Sequence, residues 1–465
     1  MCGIVGISNH KEASKMAFLG LYALQHRGEE AAGIVSYDKK DIHIIKEPGL
    51  AVENFDEEAI RRLPGNVAIA HTRYSTTGSN TSRNMQPFLV THRKSPIAVA
   101  HNGDLTNTEK LYRKLEDEGS IFQTSMDSEV IVHLLAKTQN GDLKEWFTKV
   151  LSQLEGAFSL VFLVGDTIVG ARDPHGFRPL CLGKLGDGYM LASETSALDL
   201  TKAKFIREIE PGEIVIIKND KIESCFLPEK PKEKAHCIFE NIYFARPDSN
   251  IFGDNVYEVR KRLGAQLARE HPVDADFVMP IPDSGNYAAL GFANELKLPM
   301  EIGMIRNHYI GRTFIQPSQF LRDFRVRVKL NPIERVLKGK RVIVVEDSIV
   351  RGTTSRSRVE ELRKAGAKEI HMRISCPPIK FPCFYGIDFP SRNELIAANK
   401  SVKQIADFIE VDSLEYLSLD GMLEVMKQSK KDFCTACFNG NYKVEIPKNK
   451  RKDLLETGSK KGKRS

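Results

Sequence analysis

A cysteine at the second position is the first residue of this chain whose type and place suggest chemistry. The sequence begins Met1-Cys2-Gly3, and removal of methionine before a small residue would leave Cys2 with a thiol and a free α-amino group. A thiol becomes a nucleophile as its thiolate, and an α-amine with an ordinary pKa near ~8 is a suitable base. The pattern predicts an N-terminal nucleophile enzyme. The alternative is that Cys2 only begins a buried strand, since the next residues are apolar.

Two adjacent acids far along the chain form a second group. Glu346 and Asp347 follow the apolar run 342–345, and a polar loop comes after them. That loop contains Ser348, Arg351, Gly352, Thr353 and Thr354. Adjacent carboxylates at a strand end can hold ribose hydroxyls or a hydrated Mg²⁺ ion, and a loop that opens a helix offers N–H groups to phosphate. No Gly-Lys-Ser/Thr ending of a Walker loop is present, so the pattern predicts another kind of phosphate site. An ordinary polar turn is the alternative.

Four cysteines form a third candidate group. Cys434 and Cys437 make a C-x-x-C pair, and Cys237 and Cys383 lie far from them in sequence. A lone C-x-x-C is compatible with zinc, redox chemistry or a simple loop. If the four thiols converge, they suit structural zinc or a [4Fe–4S] cluster, and spacing leaves that choice open.

The elements that must position these residues differ between the two halves of the chain. Up to about residue 230, short β-rich runs alternate with polar turns, and helices are expected around Lys11 to Leu24 and Ser128 to Thr138. This predicts a strand-rich α+β sandwich. After a Lys/Pro-rich stretch, the segments 255–270, 274–285 and 341–376 read as helix, strand and strand–helix–strand. That alternation predicts a parallel α/β sheet with ligands at the carboxyl ends of its strands.

Composition restricts the classes of protein that fit. The chain has 465 residues, of which 41% are hydrophobic and 28% charged, as expected for a globular protein of two or three domains. We expect no membrane span, no targeting leader and a cytoplasmic location. The net charge of +7 lies mostly in residues 442–465, which we interpret as a basic, disordered tail. We therefore expect no nucleic-acid partner.

Several motifs together resemble a known family. The segments 2–6, 24–34, 71–78, 101–107, 125–130 and 172–180 resemble a class II glutamine amidotransferase domain, and 239–249, 280–285, 311–319 and 344–356 resemble a type I phosphoribosyltransferase. In this order, from residue 2 to about 441, the chain resembles the amidophosphoribosyltransferase family, in its iron–sulfur-containing branch. The resemblance implies an αββα N-terminal nucleophile glutaminase domain at 2–230, followed by an α/β type I phosphoribosyltransferase domain with C-terminal helices at 231–441.

The resemblance implies roles for residues of the first domain. Cys2 would attack the side-chain amide of glutamine with its own amine as base, and Asn102 and Gly103 would form the oxyanion hole. Arg73 would bind the α-carboxylate of glutamine, and Asp127 would bind its α-ammonium group. Taken singly, Arg73 could be a surface charge and Asp127 a helix N-cap.

For the second domain the resemblance implies a site for 5-phosphoribosyl-1-pyrophosphate (PRPP). The implied PRPP-binding residues are Asp283, Ser284, Gly285, Arg312, Gln316, Glu346, Asp347, Ser348, Arg351, Gly352, Thr353 and Thr354. One Mg²⁺ per subunit would lie near Ser284, Glu346 and Asp347. The family commonly has Asp-Asp at this loop, so Glu346 is a departure, and direct metal coordination by its longer side chain is in question.

The resemblance also implies the activity, cofactors and partners. Ammonia from glutamine would displace pyrophosphate from C1 of PRPP, giving 5-phosphoribosylamine and glutamate in the first committed step of purine biosynthesis. One [4Fe–4S] cluster per subunit would be held by Cys237, Cys383, Cys434 and Cys437. Purine nucleotides would act as feedback inhibitors of a homotetramer.

Two other functions fit parts of the sequence. Another class II amidotransferase, such as glucosamine-6-phosphate synthase or asparagine synthetase, would need acceptor-domain signatures that the loop at 344–356 does not match. A catalytically silent PRPP- or nucleotide-binding regulator on the same scaffold is the second alternative. The complete set of Cys2, Arg73, Asn102, Gly103 and Asp127 favours the enzyme.

Overall fold

The structure is a computed structural model that describes residues 1–74, 82–92, 95–138, 141–228, 233–307 and 330–447. Two of the residues predicted to bind PRPP, Arg312 and Gln316, lie outside these ranges, as does the tail from residue 448. No helix within the described ranges is long and apolar enough to cross a membrane.

The first half contains two stacked antiparallel sheets. Their facing sides form an apolar layer to which Ile4, Ile69, Val161 and Val215 contribute. The seven-stranded sheet has the order Lys204–Glu208, Cys181–Leu185, Gly188–Ala192, Gly3–Ser8, Val67–Arg73, Ala31–Tyr37 and Ile42–Pro48. The six-stranded sheet has the order Lys221–Phe226, Glu213–Lys218, Thr167–Arg172, Gly156–Val164, Ser95–Leu105 and Phe88–His92.

Helices cover the outer face of each sheet. Ala13–Ala23, Ala51–Asn54, Glu57–Arg61 and Thr195–Thr201 pack on the seven-stranded sheet. Thr108–Asp117, Asp127–Thr138 and Leu143–Leu151 pack on the six-stranded sheet. Because a helical layer covers one face of each sheet and the other sheet covers the opposite face, central strands such as Gly3–Ser8 are buried along their whole length.

The second half is built on a four-stranded parallel sheet. Its order is Phe277–Pro280, Arg341–Glu346, Glu369–Ile374 and Ser413–Tyr416. The helices of this half are Val256–Glu270, Asn286–Leu296, Glu334–Leu337, Thr353–Lys364, Ile396–Asn399, Val402–Ile409, Leu419–Glu424 and Ala436–Asn439. The branched apolar run 342–345 is fully buried, as expected for a central strand covered on both faces.

Short elements complete the described chain. The two-stranded pairs are His236–Cys237 with Phe433–Cys434, Asn250–Ile251 with Asp254–Asn255, and Met304–Arg306 with Leu330–Pro332. Single 3₁₀ turns occur at Gln25–Arg27, Ser82–Asn84, Arg392–Glu394 and Lys430–Asp432, and a π-helical turn occurs at Glu240–Phe244.

The predicted fold class is confirmed in both halves. The first half has the αββα arrangement, and the second has the parallel sheet with strand, loop and helix at 341–364. The helix expected around Lys11 to Leu24 spans Ala13–Ala23, and the one expected at Ser128 begins at Asp127.

Candidate active sites

Cys2 directly precedes Gly3–Ser8, a central strand of the seven-stranded sheet. The next residue, Gly3, pairs with Thr72 on the neighbouring strand, which brings Cys2 beside the end of that strand. The Cys2 thiol donates to the carbonyl oxygen of Tyr74 at 3.6 Å, and the Cys2 backbone N–H donates to Asn102 Oδ1 at 3.2 Å. The nucleophile is thus held by contacts from both sheets.

The Asn102 side chain has an unused donor beside Cys2. Asn102 is fully buried, and its Nδ2 atom has no hydrogen-bond partner among the described residues. A buried amide donor without a partner costs free energy unless a ligand uses it. The next residue is Gly103, where a Cβ atom would lie 2.0 Å from the carbonyl oxygen of Ala157. Only glycine fits there, because the backbone beside the Asn102 amide passes close to Ala157.

The two residues predicted to bind the charges of glutamine lie at the same end of the sandwich. Arg73 ends its strand, is buried, and donates to the carbonyl oxygen of Asn84. The Arg73 guanidinium lies 3.9 Å from the sulfur of Met126, the residue before Asp127. The Asp127 carboxylate is also buried and accepts from the Leu105 N–H at 3.1 Å. The structure therefore brings a cation and a carboxylate together near the Cys2 end of the sheets.

His101 is a residue of this site that the sequence analysis did not select. Its Nδ1 lies 3.4 Å from Asp127 Oδ1 and 3.2 Å from Ser128 Oγ. Burial alone would lower the pKa of His101, but the Asp127 carboxylate and the nearby Cys2 thiol reverse that effect and raise it. The signal in the sequence was its position directly before Asn102.

Arg27 is a second residue that the sequence analysis did not select. Its guanidinium is fully buried, and its Nε donates to the backbone carbonyl oxygen of Cys2 at 2.9 Å. Arg27 lies in segment 24–34, which resembles the amidotransferase domain. Its only distinguishing feature in the sequence is a basic side chain among small and polar residues.

In the second half, Asp347 and Ser284 meet at the carboxyl ends of neighbouring parallel strands. The strand Arg341–Glu346 ends directly before Asp347, and the strand Phe277–Pro280, which pairs with 342–345, ends four residues before Ser284. Burial raises the pKa of Asp347, while hydrogen bonds from Ser284 and Ser348 oppose that shift. A buried carboxylate and a hydroxyl at one sheet edge are oxygen ligands suited to Mg²⁺.

The Glu346 side chain faces a different set of partners. Its carboxylate forms an ion pair with Arg358 and accepts from Ser355 Oγ at 3.2 Å, both on the helix Thr353–Lys364. Burial raises the pKa of Glu346 to about 6, against the opposing effect of Arg358. Both carboxylate oxygens are therefore engaged within the protein.

In the turn after the first parallel strand, Asp283 is exposed and Ser284 is half-buried. The Pro282–Asp283 peptide bond is cis, and the Asp283 carboxylate forms an ion pair with Arg306. Gly285 is buried beneath the turn, and the helix Asn286–Leu296 starts immediately after it. The predicted Asp-Ser-Gly group thus forms one rim of the site.

The loop at 351–354 forms the opposite rim. Gly352 caps the helix Thr353–Lys364 with a φ of 78°, in the left-handed region that favours glycine. Thr353 and Thr354 are exposed in the first helical turn, where backbone N–H groups point outward. Arg351 is also exposed and pairs with Glu394 at 3.1 Å. These groups can receive an anion at the helix N-terminus.

The four candidate cluster cysteines are brought into one region. Cys237 and Cys434 are opposite each other on neighbouring parallel strands. Burial raises the pKa of Cys437, and the thiols of Cys434, Cys237 and Cys383 raise it further. All four side chains are buried as free thiols. The four are not close enough to surround a single metal ion, since no such group of three or more His, Cys, Asp or Glu occurs among the described residues.

A buried cation accompanies these thiols. Burial raises the pKa of Cys237 to about 11, and the charge of Arg178 opposes that shift. Arg178 also interacts electrostatically with Cys383. The donor set fits a four-iron cluster, because each iron of such a cluster takes one thiolate and the ligands need not converge on a point.

Comparisons with known proteins cover both halves. A glutamine amidotransferase domain family matches residues 71–200, and a phosphoribosyl transferase domain family matches residues 253–380. The amidophosphoribosyltransferase of Methanocaldococcus jannaschii is 48% identical, over 96% of this chain and 98% of that protein. The chloroplastic amidophosphoribosyltransferase 2 of Arabidopsis thaliana is 48% identical, over 98% of this chain and 82% of that protein. The solved glutamine PRPP amidotransferase of B. subtilis, complexed with ADP and GMP, is 45% identical with a TM-score of 0.91, over 97% of this chain and 99% of that one.

Proposed function

The chain belongs to the amidophosphoribosyltransferase family, and from that membership we propose which of its residues carry the two half-reactions. The protein catalyses the first step of purine biosynthesis, in which ammonia from glutamine replaces pyrophosphate at C1 of PRPP. This membership favours an enzyme over the silent regulator on the same scaffold. The observation that carries the assignment of roles is the unpartnered Asn102 Nδ2 next to Cys2.

In the glutaminase half, Cys2 is the nucleophile. Once Met1 is removed, the Cys2 amine takes the thiol proton, and the thiolate forms a bond to the carbon of the glutamine side-chain amide. The oxygen of that amide becomes an oxyanion, which receives hydrogen bonds from Asn102 Nδ2 and the Gly103 N–H. When this adduct collapses, its C–N bond breaks, the Cys2 ammonium gives its proton to the departing nitrogen, and ammonia leaves a thioester on Cys2. Water then hydrolyses the thioester to glutamate and regenerates the thiol.

Two charged residues orient glutamine for this attack. Arg73 binds the α-carboxylate through its guanidinium, and Asp127 accepts from the α-ammonium group. His101, which lies 3.4 Å from Asp127, keeps that carboxylate in place beside the substrate.

In the second half, the two rims of the sheet edge receive PRPP. The turn of Asp283, Ser284 and Gly285 faces the pyrophosphate, and the helix N-terminus of Gly352, Thr353 and Thr354 receives the 5-phosphate. Asp347 and Ser348 lie between the rims and face the ribose. Arg351 binds PRPP from the same loop, and we assign Arg312 and Gln316 to the closure of the site over PRPP, which excludes water that would otherwise compete with ammonia.

Mg²⁺ fits the oxygens of Ser284 and Asp347, which are already joined by a hydrogen bond. Bound there, the ion would neutralise negative charge on the departing pyrophosphate. The role of Glu346 as a direct ligand stays a prediction, because coordination would require its carboxylate to leave Arg358 and Ser355. We propose instead that Glu346 stabilises the loop 347–352 by its contacts with Arg358 and Ser355 on the following helix.

We also propose that this chain is of the iron–sulfur branch, with one [4Fe–4S] cluster held by Cys237, Cys383, Cys434 and Cys437. The cluster would join the C-terminal segment to the start of the phosphoribosyltransferase half. A cluster and free thiols require a reducing compartment, which supports a cytoplasmic location. Iron and sulfide analysis of anaerobically purified protein should give about four of each per chain, and stoichiometric zinc instead would contradict the proposal.

Organisation and regulation complete the proposal. We place the glutaminase domain at 2–230 and the phosphoribosyltransferase domain at 231–441, because the sandwich strands end at Phe226 and the parallel sheet begins at Phe277. The nucleotides bound to the solved B. subtilis relative support purine-nucleotide inhibition, since a PRPP site already accepts a ribose phosphate. The homotetramer follows from the family resemblance.

One assay tests the division of roles. Anaerobic protein is given glutamine, Mg²⁺ and PRPP, and glutamate and pyrophosphate are measured together, with each substrate omitted in turn. We expect the two products in a ratio near one to one, with little glutamate when PRPP is absent. Glutamate without pyrophosphate would contradict the proposed PRPP site, and rapid PRPP-independent glutaminase activity would contradict coupling of the halves.

A further inference from the structure

Four charged side chains are buried together where the two halves of the molecule meet. Arg27, Arg178 and Glu194 come from the first half and Glu240 from the second, and none of the four side chains is exposed to solvent. We call this group the interdomain charge cluster. No step of the chemistry described above uses any of these four residues.

Arg27 connects the interdomain charge cluster to the nucleophile. Its Nε donates to the Cys2 carbonyl oxygen at 2.9 Å, while its terminal nitrogens donate to Glu240 at 2.8 and 3.0 Å. Another hydrogen bond links Arg27 to Glu194. The guanidinium is planar, so partners on its outer edge fix the direction in which its Nε–H points. The carboxylates therefore set how Arg27 holds the Cys2 backbone.

Glu240 brings the second half into this contact. It begins the π-helical turn Glu240–Phe244 and lies 3.4 Å from Arg178, which in turn donates to the Tyr385 carbonyl oxygen at 3.0 Å. The position of Glu240 thus depends on the packing of the second half against the first.

The same π-helical turn is hydrogen-bonded to Arg260, on the helix Val256–Glu270. Arg260 is buried and donates to the carbonyl oxygens of Asn241 and Ala245 at 2.9 and 2.8 Å, one near each end of the turn. Burial lowers the pKa of Arg260 to about 10, and the charge of Asp347 opposes that shift. Arg260 therefore joins the turn that begins with Glu240 by two hydrogen bonds, and it interacts electrostatically with Asp347.

Such a group of buried charges is costly, because each ion loses its hydration on folding. Burial by itself would lower the pKa of Arg27, yet Glu240 and Glu194 raise it above its usual range, so Arg27 stays charged. Apolar side chains could fill this volume at lower cost, but they could not fix the direction of a hydrogen bond to Cys2.

We propose that Arg27 is a positioning residue that orients Cys2, and that Glu240 makes this orientation depend on the phosphoribosyltransferase half. The inference rests on the proposed role of Cys2. PRPP at Asp347 would act on the glutaminase site through Arg260, the π-helical turn and Glu240, without touching glutamine.

The test compares Glu240→Gln with the control Glu213→Gln. Glu213 is also a buried glutamate with two hydrogen bonds from an arginine, Arg207, at 2.7 Å each, but it touches neither site. For each variant we measure glutamine-dependent product, product made from added ammonium chloride, glutaminase with and without PRPP, and the rate of Cys2 alkylation by iodoacetamide, read by peptide mass spectrometry.

We expect Glu240→Gln to lower glutamine-dependent kcat by about 10- to 100-fold, because a wrongly oriented Cys2 thiolate no longer lies in position to attack the glutamine amide. The KM for glutamine and the ammonia-dependent rate should stay within about twofold, the stimulation of glutaminase by PRPP should disappear, and Cys2 alkylation should change by about fivefold or more. Glu213→Gln should match the wild type in all four measurements.

Unchanged glutamine-dependent kcat and alkylation in Glu240→Gln would overturn the inference. Equal losses of glutamine- and ammonia-dependent activity would also overturn it, because they would indicate a general structural role. If Glu240→Gln fails to fold, the same four measurements are made on Glu240→Asp. That variant keeps the negative charge but moves it back by the length of one methylene group. Failure of the proposed function is distinct, since the wild type itself would then make no product.

Discussion

The glutaminase site and the PRPP site differ in how completely the folded chain prepares them. Around Cys2, the residues assigned to glutamine are buried and already held by protein partners. Around Asp347, the charged residues of the rims, Asp283 and Arg351, are exposed and pair with Arg306 and Glu394 on the protein surface. The first site is preorganised for a small substrate, whereas the second has to exchange protein contacts for ligand contacts.

The two sites also differ in how the chain builds them. The glutaminase site collects residues 2, 73, 102 and 127 through pairing in two sheets, whereas residues 346–354 of the PRPP site are contiguous. Substitutions in the first site should therefore abolish chemistry without altering PRPP binding. Those in the second should alter the response to PRPP and Mg²⁺.

Replacing Cys2 by alanine should separate the sites most strongly. Glutamine-dependent product should fall by about 10⁴-fold or more, because no other atom can attack the amide. Product from added ammonia should stay within about twofold. Pyrophosphate release reports both reactions, and Cys225→Ala, on an outer strand, is the control. Loss of both activities would show that the two sites are not separable.

Replacing Asn102 by alanine should have the next largest effect. Removing one oxyanion donor costs about 10²- to 10³-fold in kcat, while the KM for glutamine should change little because Arg73 and Asp127 remain. Steady-state glutamate release measures both constants. Asn54→Ala, which removes two hydrogen bonds to backbone carbonyls near the surface, should leave them unchanged. A large rise in KM alone would assign Asn102 to binding.

Asp347→Asn and Glu346→Gln compare two neighbouring acids of the PRPP site. We expect ammonia-dependent kcat/KM for PRPP to fall by about 100-fold in Asp347→Asn and by about tenfold or less in Glu346→Gln. The reason is that Glu346 is engaged by Arg358 and Ser355. Titration with Mg²⁺ should show a raised metal requirement only for Asp347→Asn. Equal losses would restore Glu346 as a direct ligand.

The smallest expected effect is a pH dependence of stability. Burial raises the pKa of Glu346 to about 6 in the folded chain, above the ordinary value of about 4.3. Its stabilising contribution is therefore full below about pH 4 and is lost as the pH rises through about 6. Glu346→Gln should gain about 2 kcal/mol of unfolding free energy relative to wild type between these limits. Denaturant unfolding at pH 4 and pH 7.5 measures the difference, and a pH-independent difference would contradict the raised pKa.

The sequence predicted the two kinds of site unequally. The strand, loop and helix at 341–364 could be recognised locally, because an apolar run, two acids and a glycine cap are adjacent. Cys2 was selected by its type and its place behind Met1, and Asn102 and Asp127 were identified by resemblance; pairing in the sheets accounts for their proximity. Arg27 could not be found, because its partner Glu240 lies 213 residues away and its burial depends on how the two halves pack.

The Glu346 assignment shows another limit of sequence reasoning. Its place beside Asp347 indicated a metal ligand, but its carboxylate pairs with Arg358, which lies in the second turn of the helix Thr353–Lys364, two residues beyond the motif 344–356. Side-chain direction at a strand end is set by packing on the neighbouring helix, and no local pattern encodes it.

The pairing of Cys237 with Cys434 has a consequence for how this half of the chain is synthesised and stabilised. These residues stand near the two ends of the phosphoribosyltransferase half, so any group that joins them closes a loop of about 200 residues. By chain-entropy arguments, such a cross-link disfavours the unfolded state by about 5 kcal/mol. If the proposed cluster is the group that joins them, it can form only after Cys437 has been synthesised, near the end of this half of the chain. The proposed cluster would then be inserted after translation, and a chain truncated before residue 434 would lack two of its four proposed ligands, Cys434 and Cys437.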